Sequence, residues 1–156
     1  MNRMRKVLIA DDEVKVGQLV KRLIQWDRLG LTCIGLVTDG QTAYEKILSE
    51  SPDIVITDIR MPVLTGLEMI QKASEQGVKC HFIVVSGYKY FDYAQKALKY
   101  GVEDYLLKPI DEDELNRQLQ KIVAEEEQRE DKQQQVDQIE KKLEDSKYCL
   151  LYTSDA

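Results

Sequence analysis

A doubly wound α/β fold, with one open five-stranded parallel sheet and helices on both faces, is the class this sequence predicts. Three observations carry the prediction. Short β-branched runs alternate five times with stretches of helical period. Several of those runs are apolar at consecutive positions, which suits strands covered on both faces better than strands with one wet face. The chain has 156 residues, 43% of them hydrophobic, enough for one domain and a tail but not for two full domains. Strict alternation of this kind assembles into a sheet with right-handed crossovers.

Residues 6–10 (KVLIA) read as the first strand. Val16, Leu19, Val20, Leu23 and Ile24 then fall on one face of a first helix. Residues 31–37 (LTCIGLV) are the second strand, and Ala43, Tyr44, Ile47 and Leu48 the second helix. That helix stops at Ser51, because the residue before a proline is pushed out of the α region. The third strand is 53–57 (DIVIT), and Leu67, Ile70 and Ala73 follow Gly66 as the third helix. The fourth strand is 80–85 (CHFIVV), followed by a fourth helix carrying Phe91, Ala94, Ala97 and Leu98 and ended by Gly101. Residues 104–107 (DYLL) make the fifth strand. The acidic run 111–114 complements the N-terminal dipole of a fifth helix bearing Leu115, Leu119 and Ile122.

The composition then shifts. Residues 125–135 (EEEQREDKQQQ) hold no apolar side chain, and Val136, Ile139 and Leu143 give only a thin stripe. A register counted from Leu115 places Glu126, Arg129, Gln133 and Glu140 in the seam, where a sustained coiled coil needs apolar residues. The expectation is one domain over residues 1–123 and, over 124–156, a solvated helical linker ending in a truncated tail. The apolar patch at 148–152 has no domain left to bury it.

Twenty-two basic against 28 acidic residues give a net charge of −6, which argues against nucleic-acid binding through a basic face of this chain's own. Cys33, Cys80 and Cys149 are widely spaced with no Cys-x-x-Cys pair, so neither a disulfide framework nor a zinc site is expected and a reducing cytoplasm is the default. Spanning a bilayer takes about 18 or more consecutive apolar residues, and no window approaches that. The basic N-terminus is followed by an apolar run too short for an export signal.

In a doubly wound sheet, ligands gather at the carboxyl ends of the strands. Asp11 and Asp12 stand there after the first strand, Asp58 after the third, Ser86 after the fourth and Lys108 after the fifth. Each alone is an ordinary turn or helix-cap residue; what they have in common is one rim. Two carboxylates about 4 Å apart repel by roughly 4 kcal/mol at an effective dielectric near 20. Three together hold a proton or recruit a cation, and an all-oxygen site with room for water suits Mg²⁺. A carboxylate held there is a competent nucleophile toward phosphorus. A metal and Lys108 would spread the charge of a transferring phosphoryl group, which is most of what such chemistry asks of a protein. Ser86 would donate a hydrogen bond to a new phosphoryl oxygen. A flavin or nucleotide module of the same fold needs a glycine- or hydroxyl-rich first loop, whereas this loop is acidic. A metal-dependent hydrolase lacks support from any histidine cluster, and the lone His81 sits in an apolar strand.

These residues resemble the receiver domain of two-component response regulators over roughly positions 4–123. The matching segments are 7–13 (VLIADDE), 53–62 (DIVITDIRMP) with Gly66, 84–87 (VVSG) and 104–109 (DYLLKP). The resemblance implies a flavodoxin-like sheet of strand order 2-1-3-4-5. It implies Asp58 as phosphoacceptor from a sensor histidine kinase, and Mg²⁺ held by Asp12, by Asp58, by Asp11 largely through water and by the Arg60 carbonyl. Ser86 would be the switch hydroxyl, Lys108 the phosphoryl-contacting amine, Tyr105 the aromatic that changes rotamer, and Lys108–Pro109 a cis peptide. Arg60 and Tyr88 would tune hydrolysis of the acyl phosphate. Such a domain is a phosphoacceptor that assists its own phosphotransfer and dephosphorylation rather than an enzyme. Its switching face, made by the fourth helix, fifth strand and fifth helix, would serve a homodimer or effector contact. Residues 86–94 (SGYKYFDYA) look like a narrower group whose receiver is joined by a helical linker to an AraC-type helix-turn-helix domain. DNA would be reached only through that output domain, absent from this chain. The alternative is a scaffold receiver that works by protein–protein contact without phosphorylation.

Overall fold

The computed structural model describes residues 3–87 and 102–154. In chain order they form β1 (Arg5–Ala10), α1 (Val14–Leu23), α2 (Trp26–Leu29), β2 (Leu31–Val37), α3 (Gly40–Glu50) and β3 (Ile54–Asp58). These are followed by α4 (Gly66–Glu75), β4 (His81–Ser86), β5 (Val102–Leu107) and α5 (Glu112–Ser154). All five strands join one parallel sheet in the order β2-β1-β3-β4-β5, the order implied by the resemblance. The helix expected over Phe91–Leu98, and Tyr88 before it, lie outside the described residues. The chain divides into two compact units, Met1–Gln120 and Lys121–Ala156.

Burial follows the strand composition. Every residue of β3 and β4 is buried, whereas only Leu31 and Val37 are buried in the edge strand β2. Val7, Leu8, Ile54, Val55, Phe82 and Ile83 are almost wholly withdrawn from water, each contributing about 1.5–3 kcal/mol of hydrophobic stabilisation. Lys46 reaches over the open edge, its Nζ donating to the Ile34 carbonyl at 3.4 Å.

The helices are closed by local chemistry. Asp39 caps α3 by accepting from Thr42 N at 2.7 Å, and Thr65 with Glu68 forms a reciprocal capping box on α4. α3 and α4 pack together, with the Lys72 ammonium 5.1 Å from the Tyr44 ring centre. Along α1 the inward line is Gly17, Val20 and then Ile24 just past its end, so Leu19, expected inside, is 38% exposed. α2 is a single turn that the hydrophobic periodicity does not register; it is closed by Gly30 at φ +67°. Within the first unit, Leu115 and Leu119 of α5 are buried with Asn116 between them. The Asn116 amide nitrogen donates to the Leu23 and Glu112 carbonyls, and its oxygen accepts from Gln25 N, all at 2.8 Å.

In the second unit the helix continues through the compositional shift without a break. Residues 131–145 are exposed throughout, the stripe of Val136, Ile139 and Leu143 included. Among the described residues, no helix is long and apolar enough to cross a membrane.

Candidate functional site

Strand register builds the site. β1 and β3 pair Ala10 with Thr57, so the next residues, Asp11 and Asp58, emerge side by side. β3 and β4 pair Asp58 with Val85, and β4 and β5 pair Ser86 with Leu107. Lys108 N donates to the Ser86 carbonyl at 2.9 Å, extending that ladder by one residue. The Lys108–Pro109 peptide is cis. Parallel strands must all end on one rim, and here the rim carries the polar groups.

Asp58 is 7% exposed and held from both sides. Its Oδ1 accepts from Ile59 N at 2.7 Å, and its Oδ2 lies 3.3 Å from Lys108 Nζ. The same ammonium stands 3.5 Å from Asp11 Oδ2, while Asp11 Oδ1 accepts from Glu13 N at 2.9 Å. Asp12 is exposed, and one carboxylate oxygen each from Asp11, Asp12 and Asp58 lies within 4.8 Å of the others. Ser86 is fully buried, and its Oγ has no hydrogen-bond partner among the described residues. An unsatisfied buried hydroxyl costs about 1–3 kcal/mol, and such groups are rare enough to mark a place where something else binds. Tyr105 is half-buried, its hydroxyl donating to the Gly87 carbonyl at 3.1 Å. Asp12, Glu13, Asp58, Arg60, Ser86, Gly87 and Lys108 line an open pocket of about 400 Å³.

The Asp11, Asp12 and Asp58 carboxylates gather beside the Lys108 ammonium, and burial is the main influence on the proton affinities of Asp11 and Asp58. Burial pushes the Asp11 carboxyl up to about 6; the Glu13 amide and Lys108 oppose this, and the charge of Asp58 reinforces it. Asp58 is likewise raised, chiefly by burial and against the pull of Lys108. Burial works against the charged form of Lys108, but the Asp58 and Asp11 carboxylates outweigh it and hold the amine above its ordinary value.

The segment joining β3 to α4 has its own geometry. Ile59 and Met61 are buried, and Arg60 between them faces out beside Asp58. Leu64 N donates to the Pro62 carbonyl at 2.7 Å across Val63, whose φ is +69°. This is a γ-turn of the rare, strained kind, and it carries a β-branched residue that is 83% exposed.

The donor set fits a small hard dication. One oxygen from each of the three carboxylates lies within 4.8 Å of the other two, close enough for a single hard cation that prefers oxygen ligands to be shared among them. The structure places Asp11, Asp12, Asp58, Arg60, Ser86 and Lys108 on the rim, with Tyr105 next to it through Gly87. Glu13 was not singled out from the sequence. Its only signal was adjacency to the acidic pair, and it also serves the start of α1, where its carbonyl accepts from Val16 N and Gly17 N.

Comparison with known proteins fits this geometry. The profile of the family described as the response regulator receiver domain matches residues 7–120. YesN of Bacillus subtilis (strain 168), an uncharacterized transcriptional regulatory protein, is 46% identical over 122 residues, covering 78% of this chain and 33% of that protein. An uncharacterized response regulatory protein of Staphylococcus epidermidis is 38% identical over 120 residues, covering 77% and 47%. The chain therefore spans from a third to just under half of these relatives. The REC domain of AraT, a response regulator from Geobacillus stearothermophilus, superposes with a TM-score of 0.77 at 36% identity, covering 81% of this chain and 98% of that one. Sheet order, acidic rim and sequence agree: the chain belongs to the response regulator receiver domain family of two-component signalling systems.

Proposed function

We propose that Asp58 accepts a phosphoryl group from the phosphohistidine of a sensor histidine kinase in the cytoplasm. The observation that carries this reading is the buried Asp58 carboxylate, fixed at Oδ1 by the Ile59 amide and facing Lys108 at Oδ2, beside Asp11 and Asp12. Oδ2 is then the nucleophile. It forms the new O–P bond as the P–N bond to the kinase imidazole breaks, leaving an acyl phosphate on Asp58. Lys108 turns from the carboxylate to the phosphoryl oxygens, and the unpartnered Ser86 Oγ donates to another of them. Asp12, Asp58, the Arg60 carbonyl and Asp11 through water would hold Mg²⁺, which supplies positive charge against the transferring group. The chain's part is positioning and charge; the same groups assist the later hydrolysis, which Arg60 and Tyr88 tune.

The modification brings roughly −1.5 to −2 charges to the rim. Ser86 and its loop follow the phosphoryl group, and Tyr105 gives up the Gly87 carbonyl and moves inward. The face around β5 then changes shape, for a homodimer or effector contact. The domain over residues 1–123 acts through the linker of 124–156 on a transcriptional output domain of AraC-type helix-turn-helix class. The name of YesN, a transcriptional regulatory protein of which this chain matches 33%, supports a transcriptional output, and the AraC-type class rests on the resemblance of residues 86–94.

Acetyl phosphate with Mg²⁺ tests the assignment. The intact chain should gain the mass of one phosphoryl group, and Asp58→Asn should gain none. An unchanged wild type, or equal labelling of the variant, would remove Asp58 from this role.

A further inference from the structure

Two glycines bring backbone against backbone around the segment that follows Asp58. A Cβ on Gly66 would stand 2.0 Å from the Asp58 carbonyl oxygen, and Gly66 N donates to the Ile59 carbonyl at 2.7 Å. On the other side, the N-terminus of α3 lies against the turn itself. A Cβ on Gly40 would stand 1.9 Å from the Leu64 carbonyl oxygen, 2.6 Å from its carbon and 2.8 Å from its Cβ, and Gly40 N reaches the Pro62 carbonyl at 3.4 Å. From below, Ile59 and Met61 anchor the same segment in the core. Arg60 is the residue between those anchors, and the strained Val63 turn is the part pressed by α3.

We propose that Gly40 is a positioning residue for the metal site: it lets α3 seat against residues 62–64 and so fixes where the Arg60 carbonyl points. The inference rests on the reading above, in which that carbonyl is a ligand. Any side chain at residue 40 forces the turn away, because ordinary contact begins at 3.4 Å and the obstruction is backbone. Magnesium tolerates little such movement, since it demands near-octahedral ligands at about 2.0–2.1 Å. Gly40 itself touches neither metal nor phosphoryl group.

The test titrates magnesium chloride into the full chain by calorimetry, with thermal unfolding followed in parallel. Gly40→Ala should weaken Mg²⁺ on the order of tenfold, as outer-shell changes do. Asp39→Ala removes the cap of the same helix end without creating an overlap; it should fold and weaken Mg²⁺ to a lesser degree. Ala43→Gly, a buried site in the same helix but not on the turn, should lower stability and leave Mg²⁺ affinity unchanged. Unaltered affinity in Gly40→Ala and Asp39→Ala overturns the proposal while the site reading stands, and so does an equal loss in Ala43→Gly. If Gly40→Ala fails to fold, Asp39→Ala decides alone. A wild type that binds no Mg²⁺ overturns the site reading and this inference with it.

Discussion

Asp11 shows how one buried carboxylate ties stability to pH. Its folded pKa is pushed up to about 6 from an ordinary 3.8. Between those values the folded chain keeps a proton that the unfolded chain has lost, so the folded state loses ground as pH rises through that window. The loss is absent below about 4 and complete above about 6. In the absence of divalent ions, Asp11→Asn should therefore match wild type in acid and exceed its melting temperature at neutral pH, and Mg²⁺ should narrow the gap by stabilising wild type. A wild type that gained on the variant as pH rose through the window would contradict this. The acidic rim residues could be located in the sequence because each directly follows an apolar run. Their proton affinities could not, because burial and the approach of Lys108 arise only on folding. The Val63 turn gave no signal at all: a β-branched residue is the last that composition suggests for positive φ.

At the scale of elements, strands were legible and helix faces less so. Consecutive apolar residues admit few alternatives, and the observed strands differ from the expected ones by at most two residues at their ends. Helix periodicity marks a broad stripe but not which line within it meets the sheet; the buried line is Gly17 and Val20, and Leu19 lies off it, 38% exposed. Asn116 broke the apolar pattern of α5 without declaring a role. Two of its three bonds, to the Leu23 carbonyl and from the Gln25 amide, fasten the first turns of α5 to the end of α1. Asn116→Ala strands the Gln25 amide and the Leu23 carbonyl, and should cost about 1–3 kcal/mol. Urea unfolding of the variant, beside the exposed Gln134→Ala as reference, measures it; equal midpoints for the two would show that Asn116 fastens nothing.

Across the whole molecule, parallel topology is what turns residues distant in sequence into one site, because every strand must finish on the same side. The helix runs on through the compositional shift after residue 124, since Glu, Gln, Lys and Arg are good helix formers. The strands bring the Asp11, Asp12 and Asp58 carboxylates together beside Lys108; on the proposed reading this rim takes a further anion only once a dication has entered. Beryllofluoride is the direct probe, being a phosphoryl mimic that forms no covalent product requiring a donor. Titrated into the chain, it should bind Asp58 when Mg²⁺ is present and fail to bind when Mg²⁺ is chelated; equally tight binding in both conditions would contradict the metal-dependent rim.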